Sequence, residues 1–85
     1  MISVLLLSHN YGKYLPDCLN SIINNNNSLI GEIIIINDKS TDNTKEIVKK
    51  YMLSNSKIRY FETEFLSLAK SYNFAVSKSK FKFIT

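Results

Sequence analysis

The chain reads as an α/β domain built on a parallel sheet, and three features of its 85 residues predict that class. Four consecutive isoleucines, Ile33 to Ile36, form a β-branched run of the kind buried on both faces of a helix-covered sheet. Three segments with apolar residues at helical spacing separate four short apolar runs, giving the order β-α-β-α-β-α-β. Alternation of that kind, with helix-length connections, points to crossovers between parallel strands. A 45% hydrophobic share with only two glycines and one proline supplies a core and argues against disorder.

The first strand is the near-continuous apolar run Ile2 to Leu7, which ends at Ser8-His9-Asn10. Asn10-Tyr11-Gly12-Lys13 carries turn chemistry. Leu15, Cys18, Leu19, Ile22 and Ile23 then recur at helical spacing, with Pro16 tolerable in a first turn. Asn24 to Asn27 with Ser28 forms a low-complexity loop that ends this helix. The isoleucine run is the second strand. After it, Ser40 to Asn43 are rich in helix-capping side chains, and Asn43 with Glu46 has capping-box spacing. The second helix places Ile47, Val48, Tyr51 and Met52 on one stripe, and Ser54-Asn55-Ser56 breaks it. Ile58 to Phe61 is the third strand. From Leu66 to about Lys78 a third helix carries Leu68, Ala69, Tyr72, Ala75 and Val76, and Phe81 to Ile84 begins a fourth strand.

At this length the chain is one domain, residues 1–85, with no internal linker and no repeat beyond the alternation itself. Its lone cysteine, Cys18, excludes an internal disulfide and any cysteine-based zinc or redox motif, which favours a reducing compartment, the cytoplasm. The opening run Val4 to Leu7 is too short for a membrane span or a signal sequence. The net charge of +4 sits at one end: residues 1–64 carry seven basic and seven acidic side chains, whereas 65–85 carry Lys70, Lys78, Lys80 and Lys82 and no acid. Such a tail can meet nucleic acid, anionic lipid or phosphate. The favoured reading is that Lys78 and Lys80 close a helix, where cations suit the macrodipole.

Neither a P-loop nor a glycine-rich dinucleotide fingerprint is present. Asp38 is the first candidate for a ligand contact, because ligands of open α/β sheets bind outside the carboxyl ends of strands, and Asp38 follows the buried run directly. Capping accounts for Ser40 to Asn43 but does not call for a further carboxylate there. That carboxylate can accept from a base N–H or a ribose hydroxyl, and the adjoining helix N-terminus favours phosphate. His9 ends the first strand on the same sheet edge and is as readily a loop histidine as a ligand contact. Glu62 and Glu64 invite a metal reading, but a solvated loop is the better one.

Three stretches carry a family resemblance: SVLLLSHNYGKYLPDCLNSI, EIIIINDKSTDNTKEIVKKY and SLAKSYNFAVSKSKFKFIT. In order and spacing they resemble the N-terminal half of family 2 glycosyltransferases, across essentially the whole chain. That family has a first strand ending in a Pro-Thr-Tyr-Asn-like segment and a second ending in Asp-Asp-Gly-Ser-Thr-Asp. A later helix carries Ala-Arg-Asn or Ala-Lys-x-x-Asn. The resemblance implies a Rossmann-like GT-A nucleotide-binding fold, truncated here after the fourth strand, that takes a nucleotide-diphosphate sugar, with a UDP-sugar first among donors. It matches Asp38 to the base-reading aspartate, Leu7 and His9 to positions lining the nucleoside pocket, and Lys70 to a basic position near the sugar nucleotide. Asn10 and Asn73 match asparagines of structural role. Leu7 replaces the usual proline, Asn37 the first aspartate of the pair, and Lys39 the glycine. The family's metal-binding Asp-x-Asp, for Mg²⁺ or Mn²⁺, falls a few residues beyond the point matching Thr85, and its catalytic base later still. The resemblance therefore implies a donor-binding part with no metal site or catalytic residue of its own, inactive alone. The parent enzyme would transfer a hexosyl group in cell-surface polysaccharide synthesis, in the cytoplasm or at the cytoplasmic membrane face.

Two other readings compete. A flavodoxin-like phosphate-binding module would use Ser40 to Thr44, yet in that family the loop follows the first strand and aromatic flavin loops accompany it. A nucleic-acid-binding module would use the basic tail, but no recognised motif supports it and residues 1–64 are charge-neutral. No nucleic-acid partner and no transmembrane segment are expected; the acceptor is left open.

Overall fold

Alternate isoleucines of one strand feed two separate cores, and the rest of the molecule is arranged around that division. The computed structural model describes residues 2–10, 12–24, 30–39 and 42–84, with the backbone alone for 82–84. Strand β2 (Ile30–Asp38) carries Ile33 to Ile36 at no more than 2% exposure. Side chains alternate across a strand, so Ile33 and Ile35 enter one cluster and Ile34 and Ile36 the other. The first cluster is closed by Leu15 and Leu19 of α1 (Leu15–Asn24) and Val48 of α2 (Thr44–Met52). The second is closed by Leu5 of β1 (Ile2–Ser8) and Ala75 of α3 (Leu68–Lys78). Helices α1 and α2 thus cover one face and α3 the other.

With β3 (Ile58–Thr63) and β4 (Lys82–Ile84) the four strands run in the order β3-β2-β1-β4, every neighbouring pair parallel. This is the expected parallel, Rossmann-like α/β sheet with strictly alternating elements. Successive strands build outward from β1 to β3, and α3 then carries the chain back to the far side of β1. The reversal leaves the carboxyl ends of β1 and β2 side by side beneath the start of α3. Register pairs Ser8 with Asn37 and Asp38 with Thr63.

Several local expectations are corrected. Asn43 precedes α2, but its side chain makes no capping hydrogen bond. Asp42 does the work instead: its Oδ1 accepts from Thr44 N–H at 3.1 Å and from the Thr44 hydroxyl, while Oδ2 accepts from Gly12 N–H at 2.9 Å. The third helix starts at Leu68 rather than Leu66, because Leu66 has φ 50°, outside the helical region, and Ser67 is the N-cap, accepting from Lys70 N–H. Its buried line is Ser71 and Ala75, with Tyr72 and Val76 half-buried, and Leu68 is 74% exposed. Cys18 and Met52, expected on apolar stripes, are exposed, since Leu15, Leu19 and Val48 already fill the space between helices and sheet. Lys78 ends α3, but Lys80 lies beyond the Ser79 C-cap. The loop residues 25–28, with Tyr11, Ser40, Thr41 and Thr85, lie outside the described residues.

A second polar centre sits at the opposite, amino end of the sheet, and sequence reading passed over it. Glu32, 3% exposed, accepts from the Ser3 hydroxyl at 2.5 Å and from Lys80 N–H at 2.6 Å on Oε2. Arg59 donates to its Oε1 at 2.7 Å and also to Lys78 O at 2.7 Å. One buried carboxylate thereby ties β1, β2, β3 and the end of α3 together.

Candidate functional site

At the carboxyl edge of the sheet, beneath the start of α3, lies a cleft of about 280 Å³. Leu7, Ser8 and His9 form its β1 side and Asp38 its floor at the end of β2. Leu66, Ser67, Leu68 and Ser71 come from the approach to α3 and its first turns. That volume lies at the lower edge of the roughly 300–1,000 Å³ typical of ligand pockets, suited to a ring system more than to a whole nucleotide sugar.

Asp38 is 6% exposed, and donors hold its carboxylate in place. Thr63 Oγ1, its neighbour across the β2–β3 pair, donates to Oδ1 at 3.0 Å, and Ser67 N–H donates to Oδ2 at 3.0 Å. Burial disfavours the charge, but the N–H of Leu66, the Thr63 hydroxyl, the N–H of Ser67 and the nearby Ser71 hydroxyl outweigh it, leaving the pKa below the ordinary aspartate value. An ionised carboxylate is acceptor-only, with about four lone-pair sites for neighbouring donors to share. The site therefore offers a fixed acceptor to an N–H or O–H group in the cleft.

His9 Nδ1–H donates to the Asp38 carbonyl at 2.7 Å. A carbonyl oxygen can only accept, so Nδ1 carries the proton and, in the neutral ring, Nε2 is left as the acceptor. This bond locks the end of β1 to the end of β2. Three non-glycine residues with positive φ cluster around this edge: Asn10 at 60°, Lys39 at 52° and Leu66 at 50°. Lys39 stands where the resemblance expects glycine, and its left-handed backbone is the conformation glycine adopts most cheaply. Leu66 turns the chain so that the N–H groups of residues 66 and 67 reach Asp38.

Of the four residues named from the sequence, Leu7, His9 and Asp38 line one cleft. Lys70 does not; it is an exposed residue in the first turn of α3. Asn37, on the other side of β2, donates from Nδ2 to Tyr60 Oη at 2.8 Å. Glu62 lies within β3 rather than in a loop after it, where it accepts from Tyr60 Oη at 3.3 Å and, half-exposed, pairs with Lys45 at 3.7 Å. Among the described residues no group of three His, Cys, Asp or Glu side chains could hold a metal ion, so the side chains described do not fit the Mg²⁺ or Mn²⁺ the resemblance implies. No described helix is long and apolar enough to cross a membrane. Sequence reading missed Ser8 and Ser71, although a hydroxyl ending a buried strand and one on a helix's buried line are visible signals.

The sequence model described as glycosyl transferase family 2 matches residues 3–85. Glycosyltransferase GlyG of Streptococcus pneumoniae is 35% identical over 86 residues, covering this whole chain but 28% of that protein. The O-antigen biosynthesis glycosyltransferase WbnJ of Escherichia coli is 31% identical over 84 residues, 99% of this chain and 33% of its own length. Chondroitin synthase of Pasteurella multocida is 31% identical over 80 residues, 94% of this chain and 8% of that enzyme. The chain thus spans a third or less of each of these relatives. Matched by that model along nearly its full length, the chain belongs to glycosyl transferase family 2.

Proposed function

We propose that the Asp38 cleft receives the nucleoside of a nucleotide-diphosphate sugar, with uridine the preferred base, and that the chain is the donor-binding part of a glycosyltransferase. The observation that carries this reading is the buried Asp38 carboxylate, ionised by its donors and lining a ring-sized cleft. Such an acceptor pairs with the imide N–H of uracil. Leu7 and His9 would form the wall against which the base lies. The start of α3, capped by Ser67 and carrying Lys70 in its first turn, supplies a partial positive charge suited to the phosphates.

The parent enzyme would pass the sugar to an acceptor hydroxyl, and relatives named for chondroitin and O-antigen synthesis favour a cell-surface polysaccharide as product. We assign the divalent metal and the catalytic base to parts of the parent beyond this match, and expect no sugar transfer by the 85-residue chain alone. Cytoplasmic donor binding, at the membrane face in the parent, fits that assignment.

The test is titration of UDP into wild type and Asp38→Asn, followed by NMR shift perturbation, with thermal melting of each free protein. Losing one charge-assisted hydrogen bond should weaken binding by about 1.5–3 kcal/mol. Equal affinity in the two proteins would reduce Asp38 to a loop residue and remove the main support for a nucleoside site.

A further inference from the structure

Strand β3 stands at the end of the strand order, with β2 as its one neighbour. The bonds between them use alternate residues: Ile33 N–H donates to Lys57 O at 2.9 Å and Lys39 N–H to Thr63 O at 2.8 Å. Backbone groups alternate sides along a strand, so those of Tyr60 and Glu62 turn away from the sheet. An edge of that kind is a template for another strand. On the α3 side of this edge Phe61 packs edge-to-face on Phe74, centroids 5.7 Å apart, and Phe65, 39% exposed, packs on Phe74 at 5.9 Å. Arg59 lies 5.4 Å from the Phe61 ring, and Lys78 Nζ lies 5.4 Å from the Phe74 ring. Arg59 answers Glu32, whereas Lys78 has no carboxylate partner among the described residues. On the other face Lys45 pairs with Glu62, the one acid of β3. Lys49, one turn further along α2 and on the same side, is exposed and has no carboxylate partner among the described residues. Ammonium groups without an acid therefore border the edge on both faces.

We propose that the open edge of β3 docks an extended acidic segment of a partner protein, which joins the four-stranded sheet as a further strand. Main-chain hydrogen bonds to Tyr60 and Glu62 hold such a segment, and its side chains fall alternately on the two faces. Carboxylates on one face meet Lys78 and on the other Lys49, while an apolar side chain can rest on the exposed part of Phe65. Charge chooses among the possible occupants. A second copy of this chain would set the same cations against these, and lysines beside an edge are a common guard against such self-pairing. A nucleic acid would use the lysines but has no amide groups in strand register for the backbone of Tyr60 and Glu62. Strand β4 lies at the opposite edge, so a segment on β3 does not compete with anything added beside β4.

The probe is a synthetic peptide of alternating glutamate and threonine, about eight residues long so that it spans a strand. It is titrated into the 85-residue chain and followed by amide NMR and hydrogen exchange. Binding should shift the Tyr60 and Glu62 amides, slow their exchange, and weaken as salt is added. The same peptide with lysine for glutamate, or with alternate backbone nitrogens methylated, should not bind. Lys78→Glu, shown to be folded by its melting curve, should weaken binding about fivefold, the scale of reversing one exposed charge. Should that variant not fold, Lys49→Glu gives the same readout from the other face. Wild type that ignores the acidic peptide, or binds its methylated form equally well, would overturn the proposal. So would tighter binding of a single-stranded oligonucleotide that leaves the β3 amides unprotected, which would make the lysines a nucleic-acid surface. A chain that sediments as a dimer with those amides already protected would overturn it too, since the occupant would then be a second copy.

Discussion

Replacing Glu32 by glutamine should destabilise the fold by about 2–4 kcal/mol, although Glu32 is far from the cleft. The carboxylate is 3% exposed and receives three donors: Arg59 on Oε1, and the Ser3 hydroxyl with Lys80 N–H on Oε2. Glutamine offers one acceptor atom and one amide nitrogen, so either Arg59 or Lys80 N–H must then face another N–H group. Losing a charge-assisted bond costs about 1.5–3 kcal/mol, and an unsatisfied buried donor adds a further ~1–3 kcal/mol before local relaxation. Because the Arg59 side chain is 31% exposed, solvent screens its half of the ion pair, which places the expectation below the ~3–5 kcal/mol seen when a fully buried pair is broken. An 85-residue domain has a total stability of roughly 4–13 kcal/mol, so the loss would be a large share of it.

Urea denaturation of wild type and Glu32→Gln across pH checks the reasoning. Burial opposes the Glu32 charge, but the Ser3, Lys80 and Arg59 bonds outweigh it, holding the folded pKa below the ordinary value of 4.5. A depressed carboxylate contributes stability that is fully present above the unfolded-state pKa and is lost as pH falls through the folded one. The gap between the two proteins should therefore be constant near neutrality and shrink in acid. A gap under about 0.5 kcal/mol at pH 7, the scale of an ordinary surface change, would refute the claim that this carboxylate staples the sheet. So would a gap that is unchanged at acid pH.

Two further perturbations test the loops that carry the site. A Cβ at Gly12 would sit 2.9 Å from Thr44 Oγ1, 3.0 Å from Asp42 Oδ2 and 3.1 Å from Asn43 Oδ1. Gly12→Ala should therefore cost about 1–3 kcal/mol by overpacking, read as a lower melting temperature, and an unchanged melt would refute the close approach of the two loops. Lys39→Gly should relieve a left-handed backbone worth about 1–2 kcal/mol and give back ~0.4–1 kcal/mol in unfolded-chain entropy. The net gain of about 0.5 kcal/mol corresponds to a rise of roughly 2–4 °C, and a fall in melting temperature would count against strain at Lys39.

The sequence alone settled the features that depend on local spacing. An isoleucine run with no polar interruption suits a strand covered on both sides, and helical periodicity between such runs points to crossovers and hence a parallel sheet, as found. Asp38 was legible for the same reason, as the carboxylate that ends the buried strand. Tertiary structure decided whatever depends on partners far apart in the chain. Asp42 caps α2 and holds Gly12, thirty positions away, which spacing within the turn could not reveal. Glu32 drew no reading from the sequence, because only strand order brings Arg59 and Lys80 to it. Ser71 became a neighbour of Asp38 only because the chain returns through α3 across the ends of β1 and β2. Periodicity reports which face of its own element a residue occupies. What stands opposite that face is set by strand order and register, and those are fixed by the packing of the whole sheet.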